Sequence, residues 1–450
     1  MLQTLDRVAN HFFLSSIPYF LSPYSLFPVP CSLAMEYKIK MQNQENAIAY
    51  FRSPEAIRER CNFIFNLALS NQLKLFRYYP EKLEFVANFV LDNIHQNYPD
   101  LNVPFHSRWR HFEVGNIPRM QNLQKQFNDL SPIEQTQAKL DLAIISVLLD
   151  AGAGEKWHYQ ESETGLIWRR SEGLAIASYE MFSQGLFSSD PASPLQADAQ
   201  GLINLTESQL IAGFQVNKNN PLTGIKGRLE LLKKLGETLY HYPHLFGENN
   251  PRPGKLVDYF LTQTQNNQLS AVIILTAILE GLGDIWPGRL TINQVNLGDV
   301  WYYPGLEILD LEYPFVPFHK LSQWLTYSLL EPLQDLGLEI IDLDQLTGLA
   351  EYRNGGLILD LGLLELKDIN LSEQQHKPDA SVIIEWRSLT IIILDKIAEI
   401  IRQKLNLTPQ EFPLVKVLQG GTWNAGREIA KQRRFDGSPP LKLDSDGTVF

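Results

Sequence analysis

Chemistry in this chain gathers in a few short stretches. His106-Ser107-Arg108-Trp109-Arg110-His111 sets two histidines, two arginines and a tryptophan side by side after Pro104. Guanidinium forks suit phosphate or carboxylate, and histidine transfers protons near neutral pH. A solvated basic loop is the competing reading. Two Gly-rich turns precede helical patterns: residues 221–228, which carry Lys226 and Arg228, and residues 420–427, which carry Trp423 and Arg427. A helix N-terminus offers free N–H groups and the positive end of a dipole, so each turn reads either as an anion site or as a plain loop.

The acidic candidates are Glu280, Asp284, Glu351 and Asp360. Glu280 and Asp284 flank the end of an apolar helical run, where burial would raise a carboxyl pKa. Glu351-Tyr352-Arg353 leads into Asn354-Gly355-Gly356. A carboxylate there would activate water or steady positive charge on a sugar. Glu385 and Arg387 lie inside an apolar stretch, residues 381–401. Buried charges must be paired, so an ion pair and a substrate contact are both open for them. Standard signatures of serine hydrolases, phosphate-binding loops, zinc proteases and dinucleotide folds are absent. The segment GLGDIWPG (281–288) follows a helix rather than a strand, which makes Gly281 or Gly283 a helix C-cap. No Asp, Glu or Cys accompanies His106 and His111 at a metal-ligand spacing, so neither a metal nor another cofactor is expected.

The elements that must position these groups are mostly helices. Ser53-Pro54-Glu55 and Ser131-Pro132-Ile133-Glu134 are N-cap signatures, the second with a capping-box glutamate. Leu83, Val86, Val90 and Ile94 recur at helical spacing. Further helices are predicted over 171–183, 206–213, 226–238, 254–265, 269–281, 318–335, 343–351, 380–404 and 424–433. Strand patterns are short: 300–304, 338–342 and 356–366. The fold class is mainly α: a single large helical domain with a small β element over residues 41–450.

Composition bounds the function. The 450 residues are 44% hydrophobic and 20% charged, with 39 Lys and Arg against 51 Asp and Glu, a net charge of −12. That balance argues against nucleic-acid and anionic-membrane surfaces while leaving room for one small anion held by local arginines. Cys31 and Cys61 cannot build a disulfide framework, so a reducing, cytoplasmic setting is expected. The apolar stretch 11–34 is broken by Pro18, Pro23, Pro28 and Pro30, and its leading stretch lacks a clear basic region. Residues 1–40 therefore read as a disordered extension, with Met35 or Met41 as an alternative start, rather than as a targeting signal. The terminal SDGTVF (445–450) is expected to dock Val449 and Phe450 into the fold.

Eight blocks stand out together: PFHSRWRHF (104–112), WRRSEGLAIASYEMF (168–182), LEGLGDIWPG (279–288), FHKLSQWLTYSL (318–329), LTGLAEYRNGGLILDLG (346–362), IIEWRSLT (383–390), GGTWNAGR (420–427) and SDGTVF. In this order they resemble the uracil catabolism protein 4 family, also labelled domain-of-unknown-function family 1688. The resemblance implies a role in a pyrimidine-degrading route that opens the uracil ring while it is attached to ribose, with a ribosylurea intermediate. FHKLSQWL and LTGLAEYRNGGLILDLG are also similar to blocks of the queuosine-salvage N-glycosylase family. That family hydrolyses a nucleoside 5′-monophosphate and is related in fold to helix-hairpin-helix DNA glycosylases.

The expected activity is that of an N-ribosyl hydrolase cleaving the C1′–N bond of ribosylurea or its 5′-phosphate. A non-catalytic ligand-binding or scaffold protein of the same pathway, with pathway enzymes as partners, is the alternative. In the hydrolase, Glu351 or Asp284 would act at C1′, with Arg353 and Lys320 orienting or balancing that acid. Arg108, Arg427 and Lys226, with Arg228 in the same turn, would hold an anion. Trp109, Trp286 and Trp423 would be platforms, His106 and His319 proton-transfer groups, and Glu385 and Arg387 substrate contacts.

Overall fold

The computed structural model describes residues 44–150, 152–286, 289–309 and 311–444. The expected N-terminal extension and the docking of Val449 and Phe450 lie outside these residues.

Ten helices carry the architecture. They are α1 (Pro54–Leu69), α2 (Leu83–Asn97), α3 (Pro132–Leu148), α4 (Arg170–Ser183), α5 (Ile225–Leu239), α6 (Ala271–Leu282), α7 (Lys320–Asp335), α8 (Tyr352–Asp360), α9 (Ser381–Leu405) and α10 (Trp423–Arg433). The predicted starts hold where side chains supply the cap. Ser53 accepts from the Ala56 N–H, and Ser131 and Glu134 form the full capping box. Helix α9 is apolar almost all round because it runs through the core, against α1, α2 and α8. Helix α3 is likewise buried, against α4 and α7. One apolar cluster runs from Ile57 in α1 to Leu441 after α10. No helix among the described residues is long and apolar enough to cross a membrane.

Strands are two or three residues long and occur as separate two-stranded ladders among the described residues. Val300–Tyr302 pairs antiparallel with Phe315–Pro317, and Glu339–Ile341 pairs in parallel with Gln268–Ser270. Two expectations near residue 350 are corrected. The stretch 343–351 holds only a 3-10 turn, Leu343–Gln345, and the helix begins at Tyr352. Residues 356–360, read as strand, close α8; only Leu364–Leu366 is extended, paired with Phe76–Tyr78. Tertiary packing overrides local propensity here: a Cβ on Gly355 would lie 2.7 Å from the Trp386 indole, so α8 needs glycine to lie on α9.

The second Gly-rich turn is also corrected. Residues 414–433 run as one continuous helical rod, with Leu418–Thr422 in π-helical form before α10. No helix N-terminus is free there to bind an anion. The glycines serve packing instead: a Cβ on Gly421 would lie 2.5 Å from Val90 Cγ1 of α2. Gly421→Ala should therefore cost about 1–3 kcal/mol of unfolding free energy by denaturant titration. A wild-type midpoint would show that α2 yields.

At the end of α6, Gly283 occupies the C-cap position with a right-handed φ of −56°. The chain passes directly into the 3-10 turn Gly283–Ile285.

Candidate functional site

A cleft of about 1130 Å³ opens between the end of α3 and the starts of four other helices. Arg170 begins α4, Gly224 and Gly227 begin α5, Leu321 belongs to the first turn of α7, and Tyr352 and Arg353 open α8; all line the cleft. Four positive dipole ends thus meet at one cavity of a strongly acidic chain. Asp150, Trp286, Trp386 and the segment 436–439 complete the walls.

Asp150 follows α3 and, of the carboxylates lining this cleft, is the one paired with a buried arginine. It accepts from Arg108 Nη1 at 2.7 Å and from Ser171 Oγ at 2.6 Å. Burial pushes its pKa up, and Arg108 holds it back. Arg108 is itself fully buried, with Nε on Ser146 Oγ at 2.8 Å. Arg170, beside Ser171, has a left-handed φ of 53°. Its exposed side chain makes no hydrogen bond or ion pair among the described residues. A non-glycine residue in that region is unusual and clusters at functional sites.

Glu351 caps α8, accepting from the Arg353 and Asn354 N–H groups at 2.7 Å each. Burial raises its pKa, against those N–H donors and the nearby Lys320 ammonium. Lys320 is half-buried, and its Nζ makes no hydrogen bond or ion pair among the described residues. Burial lowers its pKa, while Glu351 and Asp150 favour the charged form. Arg353 donates to the Gly437 carbonyl at 2.9 Å and lies over the Tyr352 ring. Arg108 therefore contacts Asp150, Lys320 lies within electrostatic reach of both Asp150 and Glu351, and Arg353 lines the same cleft. Asp150, Arg170, Ser171 and Tyr352 had not been singled out as site residues.

The first turn of α7 is held from the core. Asp299 accepts from Arg387 at 2.8 and 2.7 Å, from Trp301 Nε1 at 2.6 Å and from the Lys320 N–H at 3.0 Å. Burial alone would raise the Asp299 pKa; Arg387 and the other donors outweigh it and hold the carboxyl far below its ordinary value. Arg387 thus pairs across to a loop, not with Glu385. His319 precedes Lys320 in a left-handed conformation, φ 48°, with Nε2 2.6 Å from the Phe51 carbonyl oxygen.

Other expected residues lie apart from this wall, except Arg228, which lines the cleft. Asp284 accepts from the Tyr242 hydroxyl at 2.9 Å, with Arg52 nearby. Glu280 meets His244, and Asp360 forms a two-pronged pair with Arg434 at 2.7 and 2.6 Å. Arg228 spends its guanidinium on the carbonyls of Leu149, Thr223 and Gly152, latching α5 to the end of α3, while Lys226 is exposed. Trp109 donates to the Ser328 carbonyl at 2.7 Å.

Behind Arg108, His106 and His111 pack against Trp324 and Trp423. Burial pushes His106 down to about 4, against a 2.9 Å bond to Gln419, and holds His111 well below its ordinary value, with Arg108 adding to the effect. Both rings are neutral at pH 7. Arg427 stacks on Trp423 and faces Glu172 at 3.5 Å. Among the described residues no group of three or more His, Cys, Asp or Glu is placed to hold a metal ion.

Glu385 is buried within α9, where Tyr303 donates to it at 2.7 Å. Burial pushes its pKa up to about 7. A carboxyl that keeps its proton longer in the folded chain makes stability fall as pH rises from about 4.5 to about 7. Glu385→Gln should flatten that slope, gaining up to roughly 3 kcal/mol at pH 8 relative to pH 4. Parallel stability profiles of variant and wild type would contradict it.

Comparison with known proteins agrees with the blocks noted in the sequence. A family model described as protein of unknown function (DUF1688) matches residues 50–450. Protein urg3 of Schizosaccharomyces pombe is 38% identical over 411 residues, covering 90% of this chain and 99% of the relative. Uracil catabolism protein 4 of Lachancea kluyveri is 37% identical over 440 residues, with the same coverage of both chains. With the family model spanning the described fold and two relatives aligned nearly end to end, the chain belongs to the DUF1688 family.

Proposed function

We propose that this chain works in uracil catabolism as an N-ribosyl hydrolase, releasing urea from ribosylurea or its 5′-phosphate. The observation that carries this reading is Asp150, a partly buried carboxylate in the wall of a cleft fed by four helix N-termini. Asp150 takes a proton from water as the water oxygen bonds to C1′. The C1′–N bond breaks with its electron pair going to nitrogen, and the products are urea and ribose or its phosphate. A carboxyl raised by burial is better matched to proton transfer near neutral pH. Glu351 acts through Lys320, keeping a positive charge beside Asp150. Arg170 and Arg353, with the dipole ends of α4, α5 and α8, suit an anionic group on the sugar. Trp286 and Trp386 offer apolar wall to the remainder.

The name carried by the Lachancea relative supports the pathway. Urea release from ribosylurea and from its 5′-phosphate by the purified full chain tests the reaction. Arg170→Ala should weaken the phosphorylated substrate about 10-fold or more and leave the unphosphorylated one nearly unchanged. Equal effects on both would remove Arg170 from phosphate binding.

A further inference from the structure

Most polar groups around the cleft are committed to the fold, and one tyrosine hydroxyl is not. Arg108, Ser171, Glu351, Arg228 and Trp386 all hold protein partners. Tyr352 lines the cleft, yet its hydroxyl makes no hydrogen bond among the described residues. The ring packs partly buried against the core, which leaves the hydroxyl to a partner in the cleft. Its ring is fixed: Tyr352 is the first residue of α8, and the Arg353 guanidinium lies 5.0 Å from the ring centroid. The charges within electrostatic reach are Arg353, Glu351, Arg170 and Asp150, and Tyr352 and Asp150 line the same cleft. Burial raises the phenol pKa, so the group stays a donor at working pH.

We infer that the Tyr352 hydroxyl is the donor that meets the carbonyl oxygen of the departing ureido group, an inference that rests on the N-ribosyl hydrolase reading. When the C1′–N bond breaks, its electron pair spreads over the ureido nitrogen and the adjacent carbonyl oxygen. Tyr352 donates a hydrogen bond to that oxygen as its charge grows. The proton that completes urea is the one Asp150 took from water, so the step balances without another reagent. A donor aimed at charge that develops only in the transition state raises kcat rather than tightening substrate binding.

Tyr352→Phe tests this with two substrates, ribosylurea 5′-phosphate and 4-nitrophenyl ribofuranoside 5-phosphate, whose leaving group departs without a donor. On ribosylurea phosphate kcat should fall on the order of 100-fold with KM little changed. On the nitrophenyl substrate the loss should stay under about 3-fold. The melting temperature should match wild type, because the hydroxyl bonds nothing among the described residues. Equal losses on both substrates, a lowered melting temperature with general loss, or no loss on ribosylurea phosphate would each overturn the role of Tyr352. Wild-type protein that cleaves neither substrate would overturn the hydrolase reading beneath it.

Discussion

Asp150→Asn is expected to lower urea release by about 10²–10⁴-fold, the range for removing a positioned acid–base group. Asparagine keeps a carbonyl oxygen for Arg108 and Ser171, so the wall stays assembled while the proton acceptor is lost. Rates are to be normalised to the folded fraction, because Arg108 is fully buried and loses its full counter-charge. Glu351→Gln should cost less. Gln still caps α8 with its amide oxygen, and Glu351 reaches the reaction through Lys320 alone. If Glu351→Gln loses more than Asp150→Asn, the two carboxylates exchange roles.

The largest expected effect on stability is at Asp299 and Arg387. Removing either partner leaves a buried charge without its counter-ion, so Asp299→Ala or Arg387→Ala should cost about 3–5 kcal/mol. That is a large fraction of the 5–15 kcal/mol typical of a folded protein. The pair also fixes the first turn of α7 through the Lys320 N–H, so activity should fall further than unfolding explains. The double variant Asp299→Ala, Arg387→Met should be less damaged than the single substitutions predict by addition. Because the Asp299 pKa is depressed, its contribution is present above about pH 4 and is lost as pH falls below the ordinary carboxylate range. Additive losses, or an acid-induced loss of stability in Asp299→Asn as large as that of wild type, would contradict the account of this pair.

Much of the helical fold was legible because its caps are local. Ser53, Ser131 and Glu134 act within one turn of themselves. Residues 356–360 read as strand because their apolar run resembles one, while the helix is selected by packing on Trp386, which is distant in sequence. The same is true of Gly420 and Gly421: they read as a turn but are small because Val103 and α2 lie against them.

In the site, Glu351, Arg353, Lys320 and Arg108 stood out as charges in otherwise apolar or aromatic blocks. Asp150 did not, because after the run LAIISVLL it reads as the polar end of a buried helix. Its role depends on Arg108 and Ser171, which arrive from other segments. The one local signal was an acid held between an apolar helix and Ala-Gly-Ala-Gly at 151–154, where a chain end would ordinarily favour lysine or arginine.

The most direct measurement of the central claim is urea and ribose 5-phosphate formed by the full chain from ribosylurea 5′-phosphate, beside its Asp150→Asn variant. The account predicts equimolar products from the wild-type chain and release reduced at least about 100-fold in the variant. Wild-type protein that binds the substrate but forms neither product would contradict it and leave a binding or scaffold role for this cleft.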